Sequence, residues 1–281
     1  MSNQLFSRWN GAAPTSSIKK LKYFLVKMED IMNYHKNKAY LPIKLSDKTI
    51  QELDYHDYKS FSDSSRKVRR ICCISDTHES HTTLEIPKCD LLIHSGDILM
   101  RSRMITIEEG KDKLELFNEW LGKQPAYHKI VIPGNHDIVI QRLGIHKVKE
   151  ILSNANYLCN SNIDLLGMKI WGFPSSEGNS NNRAFQSDEF QKSSMAQINL
   201  LENEQIDILI THGSCKSIGQ ILKPKIAHIS GHYHLDHGVQ PVLDGLYWSE
   251  ISKSWLSISA PIMDGDYKAT QAPIVMDLVL D

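Results

Sequence analysis

The chain has 281 residues, 41% of them hydrophobic, and a formal net charge of -1. That is enough apolar material for one large domain or two modest ones, while the near-zero charge argues against a broad nucleic-acid-binding face. No apolar run approaches a membrane span, so no membrane partner is expected. Cys72, Cys73, Cys89, Cys159 and Cys215 form neither a disulfide framework nor a CxxC pair.

Residues 1–67 read as an N-terminal extension, and residues 68–281 as the domain that carries the chemistry. Residues 1–18 are rich in Ser, Asn and Gly, a composition that predicts little order. The spacing of Leu21, Phe24, Leu25, Met28 and Ile31 predicts a helix over 19–35. Lys19, Lys20 and Lys22, and later Arg66, Lys67, Arg69 and Arg70, read as solvated surface. The first 28 residues hold Arg8 and four lysines with no acid, which also suits mitochondrial targeting, but they lack the apolar centre of a secretory signal. The expected location is the cytoplasm, with the cysteines as free, buried thiols.

From Arg69 the texture changes. The runs Ile71–Ile74, Leu91–His94, Ile130–Ile132 and Ile206–Ile210 each suit the centre of a sheet, and each ends at or just before a polar cluster. Binding groups gather at the carboxyl ends of strands in layered α/β proteins. Helices are predicted over 107–122, with Leu114, Phe117 and Leu121 on one side, and over 187–202, with Met195, Ile198 and Leu201. Residues 235–280 read as short strands and turns, including Leu256–Ile258 and Ile274–Met276. The mixture predicts two largely β sheets packed together with helices outside.

Five polar clusters carry the chemical signal: Asp76-Thr77-His78, Gly96-Asp97, Gly134-Asn135-His136-Asp137, Thr211-His212 and Gly231-His232-Tyr233-His234. Asp76 and His78 share a face if the strand conformation persists past Ile74, as do His232 and His234. Gly96 permits close backbone approach, and Asp97 has two oxygens with which to bridge two ions. We assign Asp76, His78, Asp97 and His234 to one divalent metal ion, and Asp97, Asn135, His212 and His232 to a second. Residue chemistry alone leaves open how the histidines divide. A mixed oxygen and nitrogen set suits manganese, iron or zinc over calcium. Two such ions about 3.5–4 Å apart suit in-line hydrolysis of a phosphate ester, with His136 as general acid or as a donor to the phosphoryl group. Any one of these clusters read alone is as readily a strand cap; five in one chain are not.

Other residues carry weaker signals. His94 reads either as a donor orienting a ligand or as a core histidine, Asp137 as a turn stabiliser, and His237 as a distant candidate for substrate contact. Asn182, Arg183 and Phe185 lie in a polar loop that reads either as plain surface or as a substrate wall, with a guanidinium for phosphate and a ring for a base. Phe117 and Trp120 are assigned to core packing.

With its DxH, GD, GNHD, TH and GHYH signatures in order over residues 69–280, the chain resembles the calcineurin-like metallophosphoesterases. The segments Leu92–Asp97, Phe117–Gly122 and Ala272–Asp277 resemble the metallophosphoesterase-domain-containing branch, which is similar to class III cyclic nucleotide phosphodiesterases. The resemblance implies a four-layer α-β-β-α sandwich, a dinuclear centre with the histidine partition given above, and His136 as the catalytic residue. It also implies a small phosphate-ester substrate, such as a cyclic nucleotide. Some members of this branch have lost the first histidine of the GHxH pair and are weak enzymes, whereas His232 is present here. Two features depart from the branch: only twenty positions separate His212 from His232, which would leave the site open to larger substrates, and the extension has no counterpart there. The alternative activity is a phosphomonoesterase acting on a small metabolite or phosphoprotein. The alternative class is a protein-interaction module, with residues 1–67 as the segment that would carry the partner.

Overall fold

A computed structural model describes residues 20–27, 50–54, 67–100, 104–178, 180–201, 204–243 and 254–280. Two sheets face each other. The first contains β1 (Lys20–Lys27), β2 (Ile50–Asp54), β3 (Lys67–Ile74), β4 (Cys89–Ser95), β5 (Ala126–Ile132), β6 (Asn156–Tyr157) and β13 (Ile274–Leu280), in the order β2-β1-β13-β3-β4-β5-β6. The second contains β7 (Ser161–Leu165), β8 (Met168–Phe173), β9 (Ile208–Thr211), β10 (Ala227–Ser230), β11 (Gly238–Leu243) and β12 (Ser254–Ser259), in the order β11-β12-β10-β9-β8-β7. Strands β3 to β6 run parallel, as do β8, β9, β10 and β12.

The period-2 geometry of strands turns each apolar run into two cores. Ile71, Cys73, Leu91, Ile93, Ile130 and Ile132 share one cluster with Ile170, Ile208, Ile210, Ile229 and Ile258, and this fills the space between the sheets. The alternate residues Cys72, Ile74, Leu92 and Val131 belong to a second cluster, with Leu114, Phe117 and Leu121 of α1 (Ile107–Lys123) and Val139 and Val148 of α2 (Ile138–Ile151). On the far side, Trp171 and Leu209 pack with Ile198 of α3 (Asp188–Leu200) and with Ile218 and Leu222 of α4 (Lys216–Leu222). Residues that are continuously apolar in sequence thus belong to strands covered on both faces, and the four-layer α-β-β-α sandwich follows from that alternation.

The helix boundaries have local causes. Thr106 accepts a hydrogen bond from the Glu109 amide while the Glu109 carboxylate accepts from the Thr106 amide, a capping box that starts α1. Ser187 caps α3 by accepting from the Phe190 amide. In α3, Ile198 is buried but Met195 is 38% exposed, so the predicted apolar side is narrower than its spacing suggests.

The N-terminal region differs from expectation. The helix read over 19–35 is replaced at Lys20–Lys27 by β1, which pairs in parallel with β13 from Lys22↔Ile274 to Lys27↔Val279; residues 28–35 lie outside the described set. The sequence KLKYFLVK is rich in residues that suit a pleated sheet, and β13 offers it a ladder of backbone partners. Such pairing outweighs a weak helical periodicity. On its other side β13 pairs antiparallel with β3, where buried Asp277 accepts two hydrogen bonds from Arg70, at 2.8 and 2.7 Å.

Candidate metal centre

Because β3, β4 and β5 are parallel, and β9 and β10 likewise, the segments following all five strands meet at one edge of the sandwich. Those segments carry Asp76 and His78, Asp97, Asn135 and His136, His212, and His232 and His234. The backbone there is not strand-like. Asp76, His78, Asp97 and His232 have φ values of 52, 42, 58 and 70°, in the left-handed region that side chains beyond glycine rarely occupy. Asp76 and His78 therefore come together through a tight turn, tied by hydrogen bonds from the Asp76 amide to Gly96 O and from the His78 amide to Asp97 O. His232 and His234 diverge into different groups instead of sharing a face.

Asp76, His78 and His234 each bring one ligand atom within 4.8 Å of the others, and so do Asp97, His212 and His232. Asn135 joins the second group, its Oδ1 lying 2.9 Å from His212 Nε2. Asp97 lies between the groups. Its Oδ1 accepts from the His136 amide at 2.8 Å, while its Oδ2 is 3.2 Å from His212 Nε2 and 3.8 Å from His78 Nε2. Oδ2 thus approaches imidazoles of both groups. His136 sits beside them, and His78, Asp97 and His136 form a further cluster of three.

The donor chemistry fits divalent cations. Each imidazole has one nitrogen on a backbone carbonyl: His78 on Leu99, His212 on Ser95 and His234 on Asp264 through Nδ1, and His232 on Glu177 through Nε2. A ring that donates its N–H to a carbonyl presents the other nitrogen as a lone pair, which is the ligating form. The Asp76 carboxylate is steadied by the His232 amide at 2.9 Å. Glycines leave room for these contacts: a Cβ on Gly96 would strike the His212 ring, and one on Gly134 would strike Asp97.

Electrostatics point the same way. Burial alone would raise the pKa of Asp97, but the His212 imidazole overcomes that and holds the carboxyl far below the ordinary carboxylate range. Burial likewise opposes ionisation of Asp76, but its hydrogen bond with His234 and the nearby imidazoles of His212 and His78 together outweigh it and lower its pKa. For His212, burial is outweighed by the Asp97 charge, so its pKa is raised to about 9. Burial of His234 is outweighed by Asp76, and its pKa also rises. In each group an ionised carboxylate thus favours positive charge at the facing imidazole, held as a proton in the metal-free site, which a bound cation would displace to free the ligating lone pair.

Several residues of uncertain standing in the sequence find definite places. His94 is fully buried, with Nε2 2.9 Å from Thr77 Oγ1 and Nδ1 accepting from the Gly96 amide at 3.3 Å, so it braces the turns on either side of Asp76 and Asp97. Asp137 accepts from the Gly134 amide at 2.7 Å and from the Leu99 amide at 2.9 Å, so it secures a neighbouring loop as well as its own turn. Of the polar loop, Asn182 reaches the site: its Nδ2 is 3.1 Å from His136 Nε2, and its carbonyl accepts from Asn135. Arg183 is exposed, with Nε donating to Ser180 O. Phe185 is buried in the outer core against Phe190, so it offers no face to a base. His237 Nε2 lies 2.9 Å from Ala272 O.

Sequence reasoning missed Tyr267, whose ring lies 4.7 Å from that of His234, 5.2 Å from His78 and 6.2 Å from His136. It also missed Met100, whose carbonyl is 2.9 Å from His136 Nδ1. Tyr267 follows none of the five motif-bearing strands, and Met100, three residues past Asp97, contributes only a backbone carbonyl, which a side-chain motif does not reveal.

The family profile described as calcineurin-like phosphoesterase matches residues 69–261, a span that includes all five ligand-bearing turns. The chain belongs to the calcineurin-like phosphoesterases. It is 30% identical over 255 residues to a UPF0046 protein of Caenorhabditis elegans, covering 75% of this chain and 81% of that protein. It is 27% identical over 263 residues to Metallophosphoesterase domain-containing protein 1 of Homo sapiens and of Mus musculus, covering 74% of this chain and 71% of those proteins. With two candidate metal sites formed by buried and half-buried side chains, this calcineurin-like phosphoesterase is a metal-dependent phosphoric ester hydrolase.

Proposed function

We propose that the protein hydrolyses phosphodiesters, with cyclic nucleotides as the substrate class. The observation that carries the reading is the position of Asp97 between two histidine-bearing groups, which suits a carboxylate shared by two ions. Asp76, His78, Asp97 and His234 would hold one ion, and Asp97, Asn135, His212 and His232 the other. When bound, manganese, iron or zinc ions supply Lewis-acid charge to the phosphate oxygens and make water a competent nucleophile near neutral pH.

The chain's own residues orient and protonate. The His136 ring is anchored through Nδ1 to the Met100 carbonyl, which leaves Nε2 to carry a proton to the departing oxygen. Asn182 Nδ2 lies against that nitrogen, where it can donate to the neutral ring once the proton has left and so steer it. Water adds in line, the bond from phosphorus to the alcohol oxygen breaks, and the alcohol leaves with the proton given by His136. His232, Tyr233, His234 and Glu177 line an open cleft of about 890 Å³, which supports a substrate with organic substituents well beyond the phosphate. The five free, buried cysteines favour a reducing compartment such as the cytoplasm.

The test is manganese-supplemented turnover on matched panels of 2',3'- and 3',5'-cyclic nucleotides, linear phosphodiesters and phosphomonoesters. Preferential diester cleavage supports the proposal. Monoester preference replaces it with a phosphatase, and silence despite bound metal moves the role to binding.

A further inference from the structure

The turn that follows β12 is built more firmly than a surface connection requires. Asp264 anchors it: Oδ1 accepts from the amides of Asp266 and Lys268 at 2.9 and 3.0 Å, and Oδ2 accepts from the Thr270 hydroxyl at 2.9 Å. The Asp264 amide donates to Lys268 O, and Asp264 O accepts from the Tyr267 amide at 3.0 Å. That same carbonyl meets His234 Nδ1 at 3.1 Å. One backbone group therefore sets both a ligand-bearing ring and the residue beside it.

Tyr267 itself occupies φ 58°, an unfavourable region for an aromatic residue that persists only where surrounding contacts impose it. The residue is 45% exposed, yet its ring stands beside the rings of His78, His136 and His234. A large, partly exposed aromatic held in a strained backbone at the mouth of a polar site is placed to meet a ligand. The ring's surface is apolar and planar, so a flat, uncharged heterocycle suits it better than an aliphatic or anionic group.

We propose that Tyr267 is the specificity-determining wall of the site, against which the base of a nucleotide stacks while its phosphate faces His136. The inference rests on the phosphodiesterase reading above. It requires the ring and not the hydroxyl, so Tyr267→Phe should behave as wild type. Tyr267→Asn removes the ring but suits the left-handed backbone, so the turn is preserved.

The experiment compares the manganese-loaded wild-type, Tyr267→Phe and Tyr267→Asn proteins on adenosine 2',3'-cyclic phosphate and on base-free glycerol 1,2-cyclic phosphate. Adenosine 3'-phosphate binding by titration calorimetry and metal content are measured in parallel. The expected result is a KM for the cyclic nucleotide raised about tenfold by Tyr267→Asn, with kcat and base-free turnover little changed. Nucleotide affinity by calorimetry should fall by the same factor. Equal losses on both substrates, no loss on either, an equal loss in Tyr267→Phe, or metal loss in Tyr267→Asn would each overturn the proposal. If the wild type cleaves neither diester, the phosphodiesterase reading fails by itself, and the calorimetry alone decides whether Tyr267 holds a base.

Discussion

At the scale of single residues, the central fact is how Asp97 and His136 divide their work. Asp97 Oδ2 faces the imidazoles of both groups, whereas His136 keeps its side chain on Met100 and only its amide on Asp97. Asp97→Asn is therefore expected to lower metal content at both positions and to abolish hydrolysis. Elemental analysis beside turnover checks it, and unchanged manganese-dependent activity would remove the bridging role. His136→Ala should keep both metals and slow turnover by about 10²–10⁴, the usual range for a lost acid or base. Loss of metal in that variant would make His136 a ligand, as its cluster with His78 and Asp97 allows. These residues were legible in the sequence because each ligand lies within a few positions of the end of an apolar run. Tyr267 was not, and Asn182 was legible only as one of two alternatives, since both reach the site from long connections whose course no short motif encodes.

At the scale of elements, the site depends on how closely the turns after strands approach each other. A Cβ on Gly231, just after β10, would fall on Ser75 Oγ and the Asp76 carboxylate at the end of β3. Gly231→Ala is thus expected to destabilise the protein by about 1–3 kcal/mol, the ordinary penalty of overpacking, and to weaken metal binding by displacing Asp76. Urea denaturation and manganese titration test the two effects; a variant with wild-type values for both would mean the two sheets can separate there without loss. The α1 cap makes a milder prediction. Thr106→Ala removes the side-chain half of the capping box and should cost about 1 kcal/mol with manganese affinity unchanged, readable from the same titrations. Strand β1 shows the opposite limit of element reasoning: its residues carry a passable helical spacing, and only the ladder offered by β13 decides the outcome.

At the scale of the whole molecule, folding buries histidines that must remain neutral. Burial lowers the pKa of His94 to about 3 and of His228 to about 4, from an ordinary 6.5. Below pH 6.5 the unfolded chain takes up protons that the folded protein refuses, so the stability these two residues supply is intact above that pH and declines with acid. Each contributes a slope of about 1.4 kcal/mol per pH unit. Asp137, raised to about 7 by burial and by Asp97, acts in the opposite sense as pH falls from 7, offsetting one of them. His228 donates from Nε2 to the Thr211 hydroxyl at 2.6 Å, a contact that Gln can replace. His228→Gln should therefore flatten the decline in stability of the metal-free protein between pH 6.5 and 4 by about one such slope, measured by urea midpoints across that range. An unchanged profile would mean His228 titrates freely in the folded state.

The sequence by itself determined the layered class, the positions of the principal strands and the identities of the side chains that meet at the candidate metal centre. Strand alternation and the chemistry of donor atoms are properties of neighbouring residues, and both can be read locally. Only the tertiary structure decided that β1 joins the first sheet, that one oxygen of Asp97 faces both groups, and that Tyr267 stands at the mouth of the site. Those outcomes depend on distances between segments far apart in the chain, which packing sets and residue order does not state.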